Sequence, residues 1–327
     1  MKAVLCKEWG LPESLVVEEI PGRAPQAGEV LIDVHAAGVN FPDTLIVQKK
    51  YQFQPELPFV PGGEVAGIVK AVGPGVTDCK PGDRVMGSFT WGGYATEAIV
   101  QEERVVPIPD GMDFVTASAF VLAYGTSLHA LKDRAALAAG ETLLVLGASG
   151  GTGIAAIEIG KALGARVIAV ASSASKLELC ARHGADACIN YAEEDLRERV
   201  KAIAGDKGVD VVFDPVGGAY SETAFRTLAW NGRHLVVGFA AGEVPRLPLN
   251  LPLLKGASVV GVFWGNFLRR DKQVARQHMA DLLALYRSGK VRPPVTQTYP
   301  LEQASLALRS VMDRRAMGKV VIVTQAQ

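Results

Sequence analysis

From Lys2 to about Pro109 apolar and polar positions alternate in short runs, such as Glu29-Val-Leu-Ile-Asp-Val-His35 and Glu64-Val-Ala-Gly-Ile-Val-Lys-Ala-Val72, with Gly or Pro between runs. A period of two places successive side chains on opposite faces of a strand, so this region is predicted to be a mostly antiparallel β domain. Gly93-Tyr-Ala-Thr-Glu-Ala-Ile-Val100 reads as a further strand and Pro107-Ile-Pro-Asp-Gly111 as an exit loop. Beyond Met112, Ala-rich helical stretches alternate with dense β-branched runs: Thr142–Leu146, Arg166–Val170, Val209–Phe213, Gly232–Val237 and Ser258–Phe263. Continuous apolar strands separated by helices predict βαβ units around a buried parallel sheet. Helices are expected over Gly153–Leu163 and Lys176–Arg182, ending near Gly164 and Gly184, and over Lys272–Arg287 and Leu301–Arg314, with a last strand at Lys319–Val323.

A chain of 327 residues is too long for one small core and predicts about two domains. Its 34 basic and 34 acidic residues balance, so no global field draws nucleic acid or an anionic membrane. No apolar run reaches the ~20 residues that span a bilayer, and the first residues lack the apolar core of a secretion signal. The expectation is therefore a cytoplasmic protein. Cys6, Cys79, Cys180 and Cys188 stand far apart and form no Cys-x-x-Cys pair, so free thiols are expected rather than a disulfide framework or a zinc knuckle. The five histidines form no His-x-x-x-His pair.

The strand at Thr142 runs into Gly147-Ala148-Ser149-Gly150-Gly151-Thr152-Gly153 and then into a helix. That is the context of a dinucleotide site: glycines let the backbone approach a pyrophosphate, whose charge is met by amide N–H groups and the positive helix end. Two other readings use the same residues. Gly147-Ala-Ser149-Gly-Gly151 fits the Gly-x-Ser-x-Gly nucleophile elbow of a hydrolase, with Asp214 and His234 in the appropriate chain order. Tyr286-Arg-Ser-Gly-Lys290 fits the Tyr-x-x-x-Lys pair of short-chain reductases, although Gly289 should end the helix before Lys290. A P-loop is excluded because Gly160-Lys161 is followed by Ala162, which has no hydroxyl for magnesium.

An NAD site places Asp or Glu about 20 residues past the glycines, at the end of the second strand. Here Ala171-Ser172-Ser173-Ala-Ser175-Lys176 stands there instead. Hydroxyls with a lysine accept a 2′-phosphate, and no carboxylate repels it, so NADPH is the expected cofactor. Ser173 or Ser175 could equally serve as a helix N-cap, and Lys176 as a surface lysine.

The order of these segments resembles the medium-chain dehydrogenase/reductase superfamily, specifically its zinc-independent quinone oxidoreductase branch. The resemblance is carried by Ala36-Ala-Gly-Val-Asn40-Phe-Pro-Asp43, Pro58-Phe-Val-Pro-Gly-Gly-Glu64, Pro81-Gly-Asp-Arg-Val85, Tyr124-Gly-Thr126, the glycine turn, Asp214-Pro-Val-Gly-Gly218 and Gly318-Lys-Val-Val321. It implies an α/β architecture: a GroES-like, mostly antiparallel β catalytic domain from residues 1–118 and 264–327, and a Rossmann domain with a doubly wound parallel sheet from 119–263. The superfamily's zinc enzymes carry Cys where Asn40 stands and His-Glu where Gly63-Glu64 stands, so a bound metal is not expected.

By similarity Thr126 should face the nicotinamide or its phosphate, and Ser149, Gly150, Gly151, Thr152 and Gly153 should cradle the pyrophosphate. Ser173, Lys176 and Tyr191 should surround the 2′-phosphate, and Gly238 and Phe239 should flank the nicotinamide ribose. The implied reaction is hydride transfer to a quinone or to an α,β-unsaturated ketone, with Asn40 a candidate donor to the substrate carbonyl and Asp43 and Tyr51 polar neighbours or proton sources. Each also has a structural reading: Asn40 in a turn, Asp43 as a helix cap, Tyr51 in packing. A non-catalytic NADPH-binding sensor on the same fold is the reading from another class. A homodimer joined through Ser258–Phe263 is a further implication.

Overall fold

The computed structural model describes residues 1–325, which form two compact units: Met1–Leu122 with the segment from Pro293 onward, and Ala123–Arg292. In the first unit a seven-stranded sheet runs in the order Val295–Pro300, Lys319–Val323, Glu29–Val39, Glu64–Val72, Arg84–Ser88 and Val105–Pro107, with Glu97–Gln101 also pairing Glu29–Val39. All of its pairs are antiparallel except Val295–Pro300 with Lys319–Val323. Its interior is aliphatic, built from residues such as Val30, Ile32, Val34, Val65, Val85 and Ile322.

The long strand Glu29–Val39 exchanges partners along its length. Glu29–Asp33 pairs with Glu97–Gln101, whereas Ala36–Val39 pairs with Val320–Val323. The register Val39 opposite Val320 therefore brings Asn40 beside Lys319, residues almost a chain length apart. The pairing of Ala36 and Ala37 with Ala66 and Val65 brings Glu64 to the same corner.

In the second unit six parallel strands lie in the order Ala187–Asn190, Arg166–Ala171, Thr142–Val145, Val209–Asp214, Leu228–Val236 and Ser258–Gly261. This is the doubly wound order whose switch point falls between the strands beginning at Thr142 and Val209. Those central strands are buried along nearly their whole length, which accounts for their unbroken apolar runs.

The chain returns to the first unit at Pro293, not at the expected residue 264. The reason is packing within the second unit. The Trp264 indole lies where a Cβ on Gly125 would stand, 2.4 Å from it, and the helix Lys272–Arg287 buries His278 and Leu282. His278 Nε2 is 3.2 Å from Asp133, and Lys132 Nζ is 2.7 Å from Asp281. Among the described residues no helix is long and apolar enough to cross a membrane.

Candidate active site

The glycine turn folds as its sequence requires. Gly147 has φ +57°, a left-handed conformation that only glycine adopts without strain. A Cβ on Gly153 would sit 2.4 Å from the Gly147 carbonyl oxygen, so only glycine lets the helix Gly151–Ala162 start this close to the turn. A Cβ on Gly150 would meet nothing nearer than 3.4 Å, which leaves this stretch of backbone open to close approach. Ser127 Oγ donates to the Thr152 carbonyl at 2.9 Å, so the helix Val121–Leu128, which carries Thr126, is tied to the turn. Behind it Tyr124 donates to the buried Glu158 carboxylate at 2.6 Å, and Glu158 also accepts from the Arg292 N–H and contacts His183.

At the end of the strand Arg166–Ala171, Ser173 caps the helix Ala174–Arg182 by accepting from the Lys176 N–H, and Lys176 Nζ donates to Ser172 Oγ at 3.1 Å. Tyr191 joins this group because its N–H donates to the Ala171 carbonyl at 3.1 Å, and its ring lies 4.5 Å from that of Tyr220. Across the switch point the Asp214 carboxylate accepts from the N–H groups of Val216 and Gly217 and from Ser221. Gly238 N–H donates to the Asp214 carbonyl, and Phe239 lies over Gly217, whose Cβ would be 2.9 Å from its ring. The loops predicted to bind cofactor are thus gathered at the carboxyl ends of the parallel strands.

The rival readings do not fit this geometry. In a nucleophile elbow the strained corner is the serine itself. Here the positive φ belongs to Gly147, and Ser149 is buried. His234 and Ser221 both bond Asp214 Oδ2, at 3.1 and 2.5 Å, which fixes the loop and does not activate Ser149. Gly289 has φ +72° after the helix Lys272–Arg287 ends, so Lys290 lies off the helical face of Tyr286.

In the first unit a buried polar cluster surrounds the end of the strand Glu29–Val39. Lys319 Nζ donates to Asn40 Oδ1 at 2.6 Å and stands 3.3 Å from Glu64 Oε2. Asn40 Nδ2 donates to Glu64 Oε2 at 3.1 Å and to the Gly38 carbonyl at 3.3 Å, so both ends of the amide are engaged inside the unit. The other Glu64 oxygen accepts from the Leu122 N–H at 2.9 Å. Gly38 is required here, since its Cβ would stand 2.8 Å from Glu64 Oε2 and 2.1 Å from the Ser118 carbonyl. Lys319 and Glu64 are almost wholly buried, and removing one partner of such a pair typically costs about 3–5 kcal/mol.

Asp43 completes the cluster. Its Oδ2 accepts from the Asn40 N–H at 2.8 Å and from Tyr94 Oη at 2.7 Å, so it caps the helix Phe41–Ile46 as one of its two sequence readings allowed. Burial drives its pKa up to about 6; the Tyr94 and Asn40 hydrogen bonds and the Lys319 charge oppose that rise, and Glu64 adds to it. The Tyr94 phenol is pushed well above its usual value, chiefly by burial. Tyr51 packs against the aliphatic core with Phe53, ring centroids 6.2 Å apart. Lys319, Glu64 and Tyr94 were not among the expected site residues. Their roles depend on strand register, which no local sequence pattern reports.

Residues 26–110 match the alcohol dehydrogenase GroES-like domain family, and residues 151–284 the zinc-binding dehydrogenase family. Quinone oxidoreductase-like protein 2 from Bos taurus is 38% identical, covering 98% of this chain and 92% of its own. Quinone oxidoreductase from Rattus norvegicus is 36% identical over 99% of this chain and 98% of its own. The chain belongs to the zinc-independent quinone oxidoreductase branch of the medium-chain dehydrogenase/reductase superfamily. Among solved structures of this branch, the Escherichia coli quinone oxidoreductase complexed with NADPH is 30% identical, with TM-score 0.92 over 99% of this chain and 100% of that one. The donor set at the superfamily's zinc position does not suit a metal in this member. Asn40 and Glu64 are already engaged by the Lys319 ammonium, Gly63 offers no side chain, and a Cβ there would meet the Phe89 carbonyl at 2.8 Å.

Proposed function

We propose that this chain is an NADPH-dependent, zinc-independent reductase that transfers hydride to a quinone. The observation that carries this reading is the end of the strand Arg166–Ala171, where Ser172, Ser173 and Lys176 form one hydrogen-bonded group in the place a ribose-binding carboxylate takes in NAD sites. Together with Tyr191 these residues suit a 2′-phosphate; Ser149 and the amides from Gly150 to Gly153 suit the pyrophosphate; Thr126, Gly238 and Phe239 suit the nicotinamide end. The quinone assignment is supported by the relatives' names.

NADPH, when bound, supplies two electrons and a proton as hydride from the nicotinamide C4. Reduction of a quinone to a hydroquinone needs one further proton at oxygen. Asp43, with its pKa near 6, is suited to exchange that proton close to neutral pH, whereas Asn40, with its amide engaged internally, serves as a strut. The chain's partners on this reading are the quinone and a second copy of itself. Val259, Trp230, Leu253 and Leu254 are exposed at or near the sheet-edge strand Ser258–Gly261, which suits a homodimer.

The test is steady-state oxidation of NADPH and NADH with 1,4-benzoquinone and a panel of enones. Turnover with the quinone and a preference for NADPH of at least roughly tenfold, about 1.4 kcal/mol, are expected. Turnover with enones alone would reassign the acceptor. Tight NADPH binding without turnover on any acceptor would replace the enzyme with a sensor.

A further inference from the structure

We infer that Lys319 is a positioning residue for Asp43: lodged between Asn40 and Glu64, its ammonium is a built-in cation that locks the strut whose backbone N–H holds the Asp43 carboxylate. This rests on the proposed role of Asp43 in proton exchange. Three observations converge on it. Lys319 is almost fully buried, and it meets an amide oxygen and a carboxylate oxygen within 2.6 and 3.3 Å. The antiparallel register Val39 opposite Val320 sets the reach of its side chain, so the last strand closes the site that the third strand opens. An ammonium can only donate, so it fixes Asn40 Oδ1 toward itself and Nδ2 toward Glu64 and Gly38.

The charged and titratable groups acting on Asp43 are Tyr94 from the segment before Glu97–Gln101, Glu64 from the strand Glu64–Val72, and Lys319 from the last strand. Lys319 is the only cation among these three. Its removal therefore raises the pH at which Asp43 ionises. This shift is absent if Lys319 merely fills space.

The experiment measures urea unfolding across pH, and separately kcat with NADPH and 1,4-benzoquinone, for the parent, Lys319→Met, Lys319→Arg and the pair Lys319→Met with Glu64→Gln. The stability contribution of Asp43 is lost as pH rises through about 6 in the parent. In Lys319→Met that loss moves to higher pH, and in Lys319→Arg, which keeps the charge, it returns toward the parental value. The paired variant avoids an unpaired buried carboxylate and folds, yet kcat stays down by at least roughly tenfold because the Asn40 strut is no longer held. An unmoved unfolding profile in Lys319→Met, or parental kcat in the paired variant, overturns the inference. If Lys319→Met alone does not fold, the paired variant and Lys319→Arg decide it. Full activity in Asp43→Asn would withdraw the proton-exchange role of Asp43 and, with it, the positioning role of Lys319.

Discussion

At the scale of single residues, the cluster around Asp43 joins stability to pH in a direction that can be worked out. An aspartate whose folded pKa is raised from 3.8 to about 6 binds protons more tightly folded than unfolded. Its contribution is fully present below pH 3.8 and is lost as pH rises through about 6. Asp43→Asn keeps an oxygen for the Asn40 N–H and Tyr94 hydroxyl but cannot ionise. It should therefore gain on the parent by about 2–3 kcal/mol between pH 4 and pH 8, read from urea midpoints, at about 1.36 kcal/mol per pKa unit. A difference that does not change with pH would show that Asp43 is not ionising in a buried setting. The same variant should lose activity if Asp43 exchanges the proton. The sequence made Asn40 and Asp43 visible as candidates through Asn40-Phe-Pro-Asp43, but not the internal bonds of the Asn40 amide to Glu64, Gly38 and Lys319. Its partners Glu64 and Lys319 come from distant strands, and one residue of register would separate them.

At the scale of elements, legibility followed the strength of the periodic pattern. Glu64–Val72, Lys272–Arg287 and Lys319–Val323 fold with the bounds their hydrophobic spacing predicts. The strand Ala187–Asn190, by contrast, is too short to show a period, and the helix Phe41–Ile46 is hidden by the proline in its first turn. The expected helix at Leu301 begins instead as a 3₁₀ turn, Leu301–Gln303, and becomes α-helical over Ala304–Met312. The glycine turn was readable because glycine is demanded by backbone conformation and by close approach, both local properties. Gly153→Ala tests that element. The added methyl would lie 2.4 Å from the Gly147 carbonyl oxygen and 2.6 Å from that of Ala148. Overpacking of this kind costs about 1–3 kcal/mol, and NADPH affinity should fall by at least about tenfold, measured by titration of protein fluorescence. Unchanged affinity would detach the turn from cofactor binding.

At the scale of the whole molecule, the alternating first region and the βαβ region were separable in the sequence because an antiparallel sheet and a parallel sheet have different hydrophobic textures. The later return of the chain, at Pro293 and not 264, was not legible, because an amphipathic helix such as Lys272–Arg287 shows that it has a buried face without showing which unit buries it. The exposed apolar residues around Ser258–Gly261 predict self-association: sedimentation velocity should give a dimer, and Val259→Lys should shift it toward monomer. A monomer at all concentrations would rule out the homodimer. The reaction proposed for the whole molecule is hydride transfer from NADPH to a quinone. It is tested most directly by anaerobic reaction of the protein with 1,4-benzoquinone and NADPH deuterated at the transferring position of C4. One hydroquinone should form per NADPH consumed, at a slower rate with the deuterated cofactor; NADPH left unoxidised in the presence of saturating quinone would rule out hydride transfer to a quinone.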